Sequence, residues 1–100
     1  MAAYVISEVE IVDEEQAQQY RDLAAASIAE FGGRYLARAA DAHVIEGQPT
    51  KHKFVVIEFP SMKRAEEWYA SASYARALKH RIQGLDRRLI FLEGVPPPVN

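Results

Sequence analysis

Glu58 is the residue whose surroundings ask most of its chemistry, because it interrupts the most apolar stretch of the chain, Lys53 to Phe59 (K-F-V-V-I-E-F). A carboxylate in that position must reach solvent, pair with a base or stay protonated. Arg34 and Arg38, in the stretch before it, are its natural partners. An Arg–Glu pair in a semi-enclosed cavity is either structural or orients an anionic or carbonyl ligand. Glu8 and Glu10 are read in two ways, as a solvated strand end or as further acidic chemistry on the same face. General base work needs a carboxylate of raised pKa, which a dry interior supplies. In the catalytic reading Glu58 or Glu8 is the base or hydrogen-bond acceptor, Arg34 or Arg38 the anion clamp, and Tyr4 or Trp68 a pocket wall. Trp68, Tyr69 and Tyr74 at helical spacing are core or dimer packing, or else an aromatic wall for a planar apolar ligand. Arg81 neutralises a carboxylate elsewhere or marks the mouth of the same pocket.

Other chemistries find less support. There is no cysteine, which removes disulfides, zinc thiolates and cysteine nucleophiles. His43, His52 and His80 form neither an H-x-x-x-H nor an H-E-x-x-H spacing, so no metal site is expected. No G-x-S-x-G elbow or glycine-rich phosphate loop is present, and Gly32-Gly33 ends a helix rather than beginning one. No cofactor is therefore expected. With 12 basic against 14 acidic residues the formal charge is −2, too little cationic field for nucleic acid. The apolar stretches fall far short of the roughly 20 residues of a membrane span. The opening Met1-Ala2-Ala3-Tyr4-Val5 has no basic region and is not read as a signal peptide. Together these readings describe a small cytoplasmic domain.

The elements that must position these residues follow from periodicity. Ala3 to Val12 alternates, with Val5, Ser7, Val9 and Ile11 on one face and Tyr4, Ile6, Glu8 and Glu10 on the other, a strand pattern. Asp13 offers an N-cap, with Gln16 as capping-box partner, for a helix running to Phe31. Arg34 to Ala39 and His43 to Glu46 read as one interrupted strand or two short ones. Gly47 to Thr50 is a turn, and Lys53 to Phe59 a strand. Ser61 caps a helix carrying Ala65, Trp68, Tyr69 and Ala72 on one side, and Ser71 or Ser73 restarts one that ends at Gly84. Arg88 to Glu93 is the last strand. Residues 1–95 thus make a single domain, and 96–100 an extended Pro-rich tail. The order is β-α-β-β-α-β with the second helix broken. It fits a ferredoxin-like α+β fold, a four-stranded antiparallel sheet with helices on one face.

Helices on one face leave the other bare, and here both faces are largely apolar. Tyr4, Ile6, Phe54, Val56, Ile90 and Leu92 fall on the uncovered side. Burying about six such side chains is worth on the order of 10 kcal/mol before entropic costs. A domain of 100 residues buries only about two-thirds of its unfolded surface, so its own core is marginal. A homodimer packed through the sheet faces is expected.

The chain resembles the domain of unknown function 1330 family, within the dimeric α+β barrel superfamily. The carrying residues span Tyr4 to Val95: Val12-Asp13, Tyr20, Gly32-Gly33-Arg34, Glu58-Phe59-Pro60-Ser61, Trp68-Tyr69 with Ser71 and Tyr74, Arg81, and Glu93-Gly94-Val95. Ala72-Ser73 departs from the Pro-Glu that often follows the serine. Alanine keeps the helix there but loosens its start. The resemblance implies a ferredoxin-like fold dimerising through its sheets and implies no activity. The wider superfamily includes cofactor-independent monooxygenases, muconolactone-type isomerases and haem-dependent chlorite dismutases, with pockets between sheet and helices or in the barrel interior. Two functions follow as alternatives. One is a binding protein or cofactor-free enzyme for a small organic molecule; the other is a non-catalytic dimerisation or regulatory module.

Overall fold

The computed structural model describes residues 1–98. Seven elements follow one another: β1 (Ala3–Ile11), α1 (Glu14–Glu30), β2 (Arg34–Asp41), β3 (Lys53–Phe59), α2 (Met62–Tyr69), α3 (Ala72–Gly84) and β4 (Leu85–Glu93). The strands form one antiparallel sheet in the order β2-β3-β1-β4. This is the expected ferredoxin-like α+β architecture. The alternation read in β1 becomes an alternation of burial, with Ala3, Val5, Ser7 and Val9 buried and Tyr4, Ile6 and Glu8 half-buried. Ala3 and Val5 pack with Phe59, Trp68, Tyr74 and Ala77 in the core between sheet and helices, and Val9 packs with Ala17 and Leu85 in a smaller cluster. Trp68 is its hub, its ring centre 4.1 Å from that of Tyr74 and 5.2 Å from that of Phe59. No helix among the described residues is long and apolar enough to cross a membrane.

The helix boundaries have local causes. Asp13 accepts from the Gln16 backbone at 3.1 Å, Ser61 from that of Arg64 at 3.2 Å, and Ser71 from that of Tyr74 at 3.1 Å. Each oxygen satisfies one N–H that the first helical turn leaves free. The Asp13–Gln16 capping box is not reciprocal, because the Gly84 carbonyl takes the Asp13 N–H while the Gln16 side chain bonds His80. At the far end of α1, Gly33 N–H donates to Ile28 and Gly32 N–H to Ala29. That paired pattern needs a left-handed residue, and Gly32 supplies it at φ +79°.

Two strands differ from the sequence reading. The whole of β2 lies between Arg34 and Asp41, and His43 to Glu46 belongs to the connection to β3. Its pairing with β3 shifts twice, between Tyr35 and Ala37 and again between Ala37 and Ala40. Ala39 sits at φ +49°, a conformation that costs an L residue energy and is held here by the strand around it. β4 starts at Leu85, directly from α3, three residues earlier than Arg88. The tail residues 96–98 are exposed and outside the sheet, and the rest of the expected tail lies outside the described residues.

Candidate functional site

Between α1 and the sheet lies a cavity of about 90 Å³. Small residues make the room. Ser7 stands between Val5 and Val9 on the inward face of β1, and Ala24 is a small residue on the facing side of α1; both Ser7 and Ala24 line the cavity. Val9, Ile28, Val55, Ile57, Trp68 and Leu89 complete an apolar wall. Four cationic side chains, Arg21, Arg38, Lys53 and Arg87, also line it, and no acidic one does among the described residues. Arg21 is paired with Glu14 at 2.8 Å and Lys53 with Asp41. Among the described residues neither Arg38 nor Arg87 has a carboxylate partner.

Arg87 is the centre of the site. Its place on β4 puts it in phase with Leu85, Leu89 and Phe91 on the helix-facing side, paired with Val9 of β1. The guanidinium donates from Nη1 to the Tyr20 phenol oxygen at 2.6 Å and from Nη2 to that of Tyr74 at 2.8 Å. The two phenol oxygens are themselves 2.7 Å apart. Tyr20 comes from α1 and Tyr74 from the first turn of α3, so three elements meet at one positive charge. Burial works against that charge, but the two phenol oxygens outweigh it and hold the Arg87 pKa above its ordinary value. Burial likewise pushes the Tyr74 phenol far up, with Tyr20 adding to the shift and Arg87 opposing it. A half-buried guanidinium with no carboxylate partner among the described residues keeps its charge available to an anion from outside.

At the strained turn of β2, Arg38 lies 4.4 Å from the centre of the Tyr35 ring, and both line the cavity. Three residues apart, they would face opposite sides of a regular strand; the shift in pairing brings them together. Burial raises the Tyr35 pKa and Arg38 pulls it down. Arg38 is therefore not a partner of Glu58, contrary to its even spacing from Arg34.

The other expected site residues divide between the two sheet faces. Trp68 is in the core and on the cavity wall, where its indole N–H donates to Ser27 at 3.0 Å. Tyr74 is wholly buried and reaches the site through Arg87. Arg81 is half-buried in the last turn of α3, outside the cavity lining, and its Nε has no hydrogen-bond partner among the described residues. Tyr4, Glu8, Arg34 and Glu58 lie on the outer face of the sheet. Glu58 accepts from Arg34 Nε at 2.9 Å, and Glu8 bonds His52 Nδ1 at 2.9 Å. The acids and the Trp68–Tyr74 cluster thus belong to different surfaces, since side chains alternate across a strand. The sequence reading passed over Arg87, Tyr20 and Ser7 as site residues. Arg87 shares the parity of Leu89 and Phe91, which was the available signal once β4 is extended to Leu85.

No protein with a curated description matches the chain. Among solved structures it is similar to a protein of unknown function from Rhodopseudomonas palustris, 20% identical, covering 96% of this chain and 84% of that one with a TM-score of 0.78. It is similar to a dimeric ferredoxin-like protein of unknown function from a Jannaschia species, 11% identical, covering 94% of this chain and 100% of that one with a TM-score of 0.64. It is also similar to SnoaB, a cofactor-independent oxygenase from Streptomyces nogalater, 8% identical, covering 96% of this chain and 95% of that one with a TM-score of 0.62. At these identities the likeness is one of fold. In sequence, the family described as Domain of unknown function (DUF1330) matches residues 2–95, nearly the whole length, and the chain belongs to that family.

Proposed function

We propose that the protein binds a small organic anion with an apolar body in the cavity between α1 and the sheet, without metal or nucleotide. The observation that carries this reading is Arg87, a half-buried guanidinium held by two phenols on the wall of an apolar cavity that no acid lines among the described residues. Charge selects an anion and the apolar wall selects its body. The cavity, at about 90 Å³, is smaller than the roughly 150 Å³ that holds benzene, so it takes a small acid or the carboxylate end of a larger one. The oxygenase from Streptomyces nogalater, which acts without a cofactor on the same fold, supports a small-molecule role.

The protein acts as a homodimer through the outer sheet faces. Ile6 stands between Val56 and Ile90 there, and Leu92 beside Tyr4 is 50% exposed. The dimeric Jannaschia protein of the same fold supports this assembly. In the dimer Glu58–Arg34 and Glu8–His52 set register at the interface. Their pairing also favours a second reading, a dimerisation module without a ligand.

A thermal-shift series separates the two. Benzoate and related small acids are expected to raise the melting temperature, by about 2.7 kcal/mol of stabilisation at a hundred times Kd, while benzamide does not. A series in which no acid shifts melting, or benzamide shifts it equally, overturns the anion-binding reading and leaves the module.

A further inference from the structure

The protons around Arg87 can be assigned by counting. Tyr74 is wholly buried, and among the described residues its phenol oxygen hydrogen-bonds only with Tyr20 and Arg87. Arginine accepts nothing, so Tyr20 is the one acceptor available to the Tyr74 proton. The opposite arrangement, with Tyr20 donating to Tyr74, would leave a phenolic proton buried without a partner. Tyr74 therefore donates to Tyr20, and Arg87 donates to both. The Tyr20 oxygen then receives two hydrogen bonds, while its own proton has no acceptor among the described residues. Tyr20 and Arg87 line the cavity and Tyr74 does not. The free proton is left for whatever occupies the cavity.

We propose that Tyr20 is the specificity-determining donor of the site, and that the ligand is a weak oxygen acid, an enol or phenol, bound as its anion. The proposal rests on the reading of the cavity as an anion site and sharpens it. Arg87 supplies charge for any small anion. The Tyr20 hydroxyl, polarised by the two donors behind it, rewards an oxygen with concentrated negative charge. Such a site favours the deprotonated ligand over the neutral one and lowers its apparent pKa on binding. The room beside Ser7 and Ala24 accommodates part of a flat conjugated skeleton.

The probe is 4-nitrophenol, whose anion is read by its visible absorbance, with benzoate as a control for anion binding in general. Wild type is expected to bind the nitrophenolate in preference to the neutral phenol. Tyr20→Phe, which keeps Arg87, is expected to weaken nitrophenolate binding about 10- to 100-fold, the worth of one charge-assisted hydrogen bond. Nitrophenolate binding unchanged in Tyr20→Phe overturns the proposal, as does a wild-type preference for the neutral phenol. Benzoate binding without any nitrophenolate binding overturns it too and leaves the anion site standing; failure of both probes overturns the anion site as well. Should Tyr20→Phe not fold, 4-nitrothiophenolate on wild type decides. It carries equal charge on a poorer acceptor, and binding as tight as nitrophenolate overturns the proposal.

Discussion

Arg87 donates from Nη2 to the phenol oxygen of Tyr74 at 2.8 Å, and the oxygen it meets belongs to a side chain with no solvent exposure. A half-buried guanidinium in that position loses part of its water and gains two neutral phenols, Tyr20 being the other, but no carboxylate among the described residues. Neutral acceptors take one N–H from each of its two terminal nitrogens without neutralising its charge. The arrangement adds little to the fold and is a useful one for receiving an anion.

Replacing Arg87 by methionine therefore separates stability from binding. Tyr20 and Tyr74 keep their bond to each other, and a half-buried charge without a carboxylate partner among the described residues is removed. Arg87→Met is expected to be more stable by about 1 kcal/mol in urea unfolding and to lose its response to small acids. A loss of stability of similar size would mean that the guanidinium is there for the fold.

The buried phenols give the protein a particular alkaline behaviour. Burial raises the folded-state pKa of Tyr74, and of Tyr35, above the ordinary 10.0. A tyrosine raised in this way binds its proton in the folded chain after the unfolded chain has released it. Stability is thus fully present below about pH 10 and falls above it, by up to about 1.4 kcal/mol per pH unit for each such group. Unfolding followed by circular dichroism between pH 9 and 11, together with tyrosinate absorbance, checks this. Gradual ionisation of every tyrosine in a folded chain would contradict it.

Much of this architecture was legible in the chain itself. The alternation of β1, the caps at Asp13, Ser61 and Ser71 and the stop at Gly32 are local codes, and the structure keeps them. What the sequence hid depends on register. An even spacing placed Arg38 with Arg34 beside Glu58, and two irregularities in β2 turned it to the helix side. Arg87 falls outside the strand read from Arg88, because the helix end at Gly84 leaves no loop and the strand begins at once at Leu85. The meeting of Arg87 with Tyr20 and Tyr74 joins residues 67 and 13 positions apart, which no local pattern encodes.

Gly33 tests the packing of α1 on the sheet. A Cβ there would stand 2.7 Å from both Ile28 Cγ2 and Phe59 Cε1, core atoms held on several sides. Gly33→Ala is expected to cost about 1–3 kcal/mol in chemical denaturation through overpacking. A neutral result would show that Phe59 and Ile28 yield freely.

The outer sheet face tests assembly. Ile6→Asp puts a charge between Val56 and Ile90, and Val56→Asp does the same beside Ile6. Each is expected to give monomer or insoluble chain, against a wild-type dimer, in sedimentation or light scattering. A folded, soluble wild-type monomer at micromolar concentration would refute sheet-to-sheet pairing.

Calorimetric titration of wild type and Arg87→Met with benzoate, alongside benzamide, bears most directly on the site. The expected result is saturable benzoate binding to wild type, none to benzamide, and loss of benzoate binding in Arg87→Met while the chain remains folded. Benzoate binding of equal strength to both proteins would contradict the assignment of Arg87 as the anion-receiving group.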